Sequence, residues 1–534
     1  MDSSKAHRWI DVNPNLSLGV TLFECMKKFS NRTLQYLPDT SKSDTYEQVL
    51  TRCVRTALKL KEKGIKKNDV VSMCSYNHGN CCVPLFATLF LGAIPANFDP
   101  RLSDMETVHL LKLVQPKVIF VGSDAVEFME KNVTESKVTT ELVVFGDSEK
   151  YPNFSEYLKP QPHEANFRPV DVDADDTALI MFSSGTTGMP KGICLSHRSI
   201  LLRIPTSHLH VVKIDTDPMV ALLFTTFYWI SAVACFIEIV VHGDSIVVRQ
   251  SFDPVQAWKD IDRYKVTYLF LSTNLAYQIY QNHPKNVDAS SLKVLLVGGY
   301  SVGSQMIDGL RAIMPNINII NGYGQTEAPS LISRFDPTNP EDVKLMIQKP
   351  GSCGRIIPML QWKVVDPDTG KELGPNEKGE LRYKGEKCMN GYYKMDASAA
   401  FDSEGYIKTG DIVYYDEDYC LFIVDRIKAM FKYKGWHVVP AVIEEVLLSH
   451  PAVKEAAVVG VPAGSDGDHP MGVVVLHEHY KNITPKEIES YVEKRVTDFQ
   501  KLRGGVKFVD KLLRTATGKV KRNVVRDLIL EGKY

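Results

Sequence analysis

From Asp69 onward the chain alternates short runs of β-branched and apolar residues with longer stretches of helical character, and few folds accommodate that rhythm. Val70 to Met73 and Val118 to Val121 read as strands, and Val83 to Leu91 as a buried helix. Farther on, Ser245 to Val248, Val266 to Leu271, Lys293 to Val297 and Ile317 to Ile320 read as strands, with Pro254 to Tyr264 a helix. Near-continuous apolar strands separated by helices imply parallel sheet covered on both faces. Ligands in such sheets bind in loops at the carboxyl ends of strands. Three loops that follow strands here are polar and glycine-rich.

Val220 to Val241 tests this reading, because it is nearly all apolar with Glu238 its only charge, and its length alone suits a membrane span. Thr225, Thr226, Trp229, Ser231 and Glu238 interrupt it, and no basic cluster flanks it. A short strand, a loop and a buried helix are expected instead, with no integral membrane span.

After about Gly351 the texture changes. Gly370, Gly374, Pro375 and Gly379 punctuate short alternating strands such as Glu380 to Tyr383, the pattern of an antiparallel unit. A second shift falls near Asp425-Arg426. Beyond it Pro440 opens a helix with Ile443, Val446 and Leu447 at helical spacing, followed by strands Ala456 to Val461 and Gly472 to Leu476 and a charged helix near Pro485 to Gln500. The expected fold is therefore α/β. A large body of parallel-rich sheets flanked by helices spans 1–424, with a β subdomain near 351–424, and a small α+β lid spans 425–534.

Composition narrows the partners. Across 534 residues, 44% hydrophobic and 24% charged residues exclude wholesale disorder and a polytopic membrane protein. Lys plus Arg (63) nearly cancels Asp plus Glu (64), so no global field favours nucleic acid or anionic lipid, and an anionic ligand needs local geometry. Ten cysteines without metal-type spacing read as buried free thiols. The pairs His208/His210 and His477/His479 lack further ligands and read as surface residues. No secretory segment follows Met1, and Gly532-Lys533-Tyr534 is not a peroxisomal S-K-L tail, so a cytoplasmic location is expected.

The chemistry is concentrated in Met181-Phe182-Ser183-Ser184-Gly185-Thr186-Thr187-Gly188-Met189-Pro190-Lys191-Gly192. A strand, Thr177 to Phe182, runs into hydroxyls, glycines and a lysine. Glycines let backbone N–H groups approach an anion, while hydroxyls and an ammonium add donors. The spacing is not that of a Walker A loop. This string resembles the signature loop of adenylate-forming enzymes, the superfamily of acyl-CoA synthetases, coumarate–CoA ligases and luciferases. Asn321-Gly322-Tyr323-Gly324-Gln325-Thr326-Glu327 resembles its Y-G-x-T-E motif, and Thr409-Gly410-Asp411 its T-G-D motif. Asp425-Arg426-Ile427-Lys428 resembles its hinge, followed by Lys432-Tyr433-Lys434-Gly435, and Thr517-Gly518-Lys519 its C-terminal lysine motif. Five motifs in family order span most of the chain.

The resemblance implies ATP and Mg²⁺, with coenzyme A as second nucleophile. Ser183, Ser184, Gly185, Thr186, Thr187, Gly188 and Lys191 would cradle phosphates. Thr326 would contact phosphate, and Glu327, otherwise a solvated loop carboxylate, would hold the metal. Tyr323 would stack on adenine, or else pack in the core. Asp411, placed in a turn between Tyr406-Ile407 and Ile412-Val413, would bind the ribose diol with help from Arg426. Lys519, otherwise a surface lysine, would stand between the acid and the α-phosphate. A rotation of the lid at Asp425 or Lys428 would withdraw Lys519 and present Lys432 and Gly435 for thioester formation.

The acyl pocket departs from the family. Many relatives carry a histidine where Thr225-Thr226-Phe227-Tyr228-Trp229-Ile230-Ser231 places Tyr228, and this wording is similar to insect acyl-CoA-synthetase-like members, including those related to fly-type luciferases. Val297-Gly298-Gly299-Tyr300 resembles the pocket strand, with a bulky Tyr300 that suggests a shortened pocket. Arg203 is a pocket-wall candidate or a solvated arginine. The implied activity is ATP-dependent carboxylate–CoA ligation on a fatty or aromatic acid. The alternative is a luciferase that oxidises an adenylated luciferin with O₂.

Overall fold

The apolar runs assemble into two parallel-rich sheets. The larger has nine strands, whose parallel centre runs Asn318–Gln325, Val294–Gly298, Tyr268–Ser272, Val220–Leu223, Ser245–Val248 and Thr33–Leu37 in spatial order. Alternate residues of these strands enter different cores: Leu223, Ile246, Leu296 and Ile320 one, Leu222, Val247, Leu295 and Ile319 the other. Both faces must therefore be apolar, which is why the strands read as unbroken hydrophobic runs. The second sheet has four parallel strands in the order Ile94–Pro95, Val70–Cys74, Val118–Gly122 and Glu141–Phe145. The computed structural model describes residues 12–183, 189–206, 218–284, 286–299, 304–434, 436–480, 482–514 and 520–534.

The ambiguous apolar stretch forms strand Val220–Leu223 and helix Ile230–His242, closed by Gly243 at φ 71°. Among the described residues no helix is long and apolar enough to cross a membrane. From Ser245–Val248 the chain passes through helix Pro254–Tyr264 to Tyr268–Ser272, on the other side of Val220–Leu223. Strand order reverses there, and in open α/β sheets ligands bind at such a reversal, outside the carboxyl ends of the strands.

Two expectations change. The signature string follows a strand, but not a parallel one: Thr177–Phe182 pairs antiparallel with Gly192–Ser196 in a separate three-stranded sheet. The string is the connection of a β-hairpin, because the chain must turn straight back to continue that ladder. The charged helix near Pro485 to Gln500 is two pieces, α-helix Pro485–Glu493 and a 3₁₀ turn Asp498–Gln500, since Thr497 and Gln500 form a fresh capping box.

The antiparallel unit is a four-stranded sheet ordered Gln361–Val365, Gly379–Lys384, Ile407–Tyr415 and Leu421–Arg426. Beyond it lies the small C-terminal domain. Its three-stranded sheet, Val453–Pro462, Asp468–Leu476 and Val506–Phe508, packs with helices Pro440–Leu448 and Arg522–Leu530. Proline at the first turn of Pro440–Leu448 removes an N–H that the helix leaves unpaired anyway. All ten cysteines are free thiols, eight of them buried.

Candidate active site

The hairpin that carries the signature string is closed at its neck by Ser183. Its N–H donates to the Lys191 carbonyl at 3.0 Å, and its Oγ accepts from the Lys191 N–H at 2.9 Å. Lys191 itself is exposed, with its ammonium 4.5 Å from the Tyr392 ring centroid. On the outer side His109 Nε2 donates to the Pro190 carbonyl at 3.0 Å. Ser184, Gly185, Thr186, Thr187 and Gly188 lie outside the described residues, as do His208, His210, Tyr300, Gly435 and Lys519.

The strand expected to stop at Ile320 continues to Gln325, because past Gly322 it pairs antiparallel with Ser330–Arg334. Tyr323 is therefore a strand residue rather than a loop residue, and Thr326 and Glu327 form the tip of a tight hairpin. Glu327 is half-buried, and the main-chain N–H of Met389 holds its carbonyl at 2.8 Å. Burial pushes its carboxyl above the usual carboxylate range, with Arg426 and Lys191 pulling it back and Asp411 adding to the rise. Lys191, Glu327, Asp411 and Arg426 thus share one electrostatic neighbourhood.

Asp411 lies within strand Ile407–Tyr415, not in a turn. Glu380 and Arg382 on one strand face Ile412 and Lys408 on the other, so Thr409 to Asp411 bulge out of the ladder, with Gly410 at φ 67°. The bulge re-aims the aspartate while the strand runs on. Its carboxylate is buried and accepts from Tyr323 Oη at 2.6 Å, Gln325 Nε2 at 2.7 Å and Arg426 Nε at 2.8 Å. Asp411 in turn holds the Arg426 guanidinium above its ordinary value, and burial drives the Tyr323 phenol up. Gln325 also donates to the Thr409 carbonyl at 3.0 Å, tying the Y-G-x-T-E strand to the T-G-D bulge.

Tyr228 is buried, stacked on Phe182 at 5.9 Å and edge-on to Trp229 at 4.8 Å. Burial pushes its phenol far above the ordinary value, so it stays a neutral O–H donor at any working pH. Gly298 ends its strand opposite Gly322, where an added Cβ would stand 2.8 Å from the Gly322 carbonyl oxygen; Gly299 follows at φ 103°. Arg203 is not solvated: it ends helix His197–Arg203, 2% exposed, in an ion pair with the equally buried Glu238. The lone charge of the apolar stretch is there to meet it.

Asp425 precedes the C-terminal domain, and its carboxylate accepts from the N–H of Arg426 at 2.7 Å and from Ala441, in the first turn of helix Pro440–Leu448, at 3.1 Å. Lys428 lies in the 3₁₀ turn Ile427–Ala429, and Lys432 is exposed on strand Phe431–Tyr433. His479 is exposed and His477 half-buried, and among the described residues no group of three or more metal-ligating side chains occurs. Reading the sequence missed Gln325, Tyr392 and His109. Gln325 sits at the unspecified position of its motif, and nothing in the spacing marks the other two.

The sequence pattern of AMP-binding enzymes matches residues 22–393, and that of the AMP-binding enzyme C-terminal domain matches 442–519. The chain belongs to the AMP-binding enzyme family. Within that adenylate-forming family it is similar to the luciferase-like enzyme from the nonluminescent Zophobas morio mealworm, 41% identical with TM-score 0.73 over 78% of this chain and 96% of that one. It is 32% identical to luciferin 4-monooxygenase of Photinus pyralis, over 92% of this chain and 90% of the relative. It is 30% identical to peroxisomal OPC-8:0-CoA ligase 1 of Arabidopsis thaliana, over 97% and 94%. CoA ligases and luciferases of this family thus stand at similar distance.

Proposed function

We propose that this AMP-binding enzyme is an acid–thiol ligase: it converts a fatty or aromatic carboxylic acid and ATP to an acyl-adenylate, then to a coenzyme A thioester. The acid's oxygen attacks the α-phosphorus, the bond to pyrophosphate breaks, and the thiol sulfur later displaces AMP at the acyl carbon. Little covalent work falls to the protein; positioning and charge stabilisation do most of it.

The observation that carries the reading is the knot at Asp411 beside Glu327 and Lys191. A carboxylate offers about four acceptor positions. Three are taken by Tyr323, Gln325 and Arg426, which leaves acceptor capacity on a fixed carboxylate suited to a ribose hydroxyl. Glu327 fits a magnesium ion: its carboxylate is desolvated and has no ion-pair partner among the described residues, and a divalent cation would relieve that cost. Bound there, the ion would neutralise departing pyrophosphate. In this reading Ser183 to Gly188, Lys191 and Thr326 hold phosphates, Tyr323 faces the adenine, and Lys519 supports the first half-reaction. The body spans 1–424 and the lid 425–534, turning at Asp425 or Lys428 to bring Lys432 into the second. Tyr228 donates to the acid's carboxylate, with Trp229, Gly298, Gly299, Tyr300 and Arg203 around the chain of the acid.

A second reading is a luciferase, favoured by the 32% identity to a luciferin 4-monooxygenase. One experiment tests both: a panel of acids with ATP and Mg²⁺, pyrophosphate release measured with and without coenzyme A in a luminometer. Thioester without light is the expected result. Light from one acid overturns it in favour of oxidation, and no pyrophosphate with any acid rejects adenylation.

A further inference from the structure

The segment between strand Val220–Leu223 and helix Ile230–His242 is held from outside its own sheet. Asn77, following strand Val70–Cys74, donates from Nδ2 to the Thr225 carbonyl at 3.0 Å. Asn97, following Ile94–Pro95, donates to the Phe227 carbonyl at 3.4 Å. Asp99, fully buried two residues on, takes Thr226 Oγ1 at 2.6 Å and Trp229 Nε1 at 3.2 Å on the same oxygen, Oδ2. The Trp229 N–H also donates to the Thr226 carbonyl at 3.1 Å, so Thr226 to Trp229 is a turn whose two ends are clasped by one carboxylate. Arg101 completes the clasp with its main-chain N–H, Nε and Nη2 on Asp99 at 2.9, 2.8 and 2.7 Å.

Tyr228 stands inside that turn, and its hydroxyl makes no hydrogen bond to the described residues. Its ring is fixed between Phe182, the last strand residue before the signature string, and Trp229. Phe98, next to Asp99, packs on the far side of Phe182 at 5.9 Å. Any shift of Asp99 therefore moves the phenol relative to the phosphate hairpin. An asparagine in its place would have one acceptor oxygen for five donors and would turn an N–H₂ toward another donor.

We propose that Asp99 is a positioning residue for the acid: by clasping both ends of the Thr226–Trp229 turn it sets where the Tyr228 hydroxyl meets the reacting carboxylate. This rests on the role given to Tyr228 above.

The test uses the full chain with ATP, Mg²⁺ and the best acid of the panel, reading pyrophosphate release. Asp99→Asn should lower kcat/KM for the acid about 2–10-fold, no more than Tyr228→Phe does, while KM for ATP changes less than about twofold. Combined with Tyr228→Phe it should cost no more than about twofold beyond the worse single variant, because both act on one contact. Thr226→Val should reproduce part of the loss and Thr226→Ser, which keeps the hydroxyl, should recover most of it. That pair decides the matter should Asp99→Asn fail to fold. Multiplying losses, or a matching rise in KM for ATP, overturns the positioning role and leaves the ligase reading intact. A wild-type chain that releases no pyrophosphate with any acid removes the ligase reading first, and the proposal with it.

Discussion

The two walls assigned to the proposed site, at Asp411 and at Tyr228, are built on different physics. The wall at Asp411 is a knot of polar groups hydrogen-bonded or paired to one carboxylate, borrowed from two antiparallel hairpins. The wall at Tyr228 is a stack of rings whose polar atoms are few, with Asp99 hidden behind it. A polar wall recognises fixed hydrogen-bonding groups, as the hydroxyls of a ribose are. An aromatic wall selects by shape, and changes its ligand when one ring changes. Variation within one family should then gather on the ring side.

Substitutions can break this contrast. The largest effect is expected at the lysines assigned to the two half-reactions. Lys519→Ala should slow adenylation about 10²–10³-fold, as loss of a transition-state charge contact does, yet spare thioester formation from supplied acyl-adenylate. Lys432→Ala should do the reverse, and equal loss in both steps for both variants rejects the two-face lid. Next, Asp411→Asn should weaken ATP use roughly 10–100-fold, the value of a charge-assisted hydrogen bond. KM for the acid should hardly move; a change in the acid alone would mean the walls are not separate.

On the ring side, Tyr228→Phe should lower kcat/KM for the acid only about 2–10-fold, one neutral hydrogen bond, and leave the pH profile unaltered. A new ionisation in that profile would show that the phenol handles protons after all. The smallest expected effect is on stability, at Glu327. Its folded-state value lies above the unfolded one, so the folded chain holds a proton that the unfolded chain releases. The carboxyl therefore costs stability above its folded value, and the cost fades as pH falls through it. Glu327→Gln should raise Tm by up to about 2 °C at neutral pH while dulling the response to Mg²⁺. A lower Tm would mean the carboxylate has a structural partner.

Polar contacts hold the hinge candidate Asp425 against the rest of the small domain. Asp425 accepts from the first turn of helix Pro440–Leu448, and Arg522 lies within its electrostatic reach while pairing bidentately with Glu444 at 2.6 and 3.1 Å. Burial raises the Asp425 carboxyl, with Arg522 the leading opposing charge. Contacts of this kind are more easily exchanged than a shared apolar core, as the proposed rotation at Asp425 would require.

The sequence by itself determined the element order and the polar wall. Short apolar runs alternating with helical stretches read as strands buried on both faces, and the family resemblance rests on particular residue types in particular order, which is why Lys191, Glu327 and Asp411 stand out as letters. Only the tertiary structure decided the rest. Asp411 points from a bulge and not a turn because its neighbours' register skips, a fact of pairing between strands thirty residues apart in the chain, Glu380 with Ile412 and Arg382 with Lys408. Arg203 is buried because Glu238 on another helix meets it. Asp99 clasps a turn 127 residues away, and no local pattern encodes a partner at that distance.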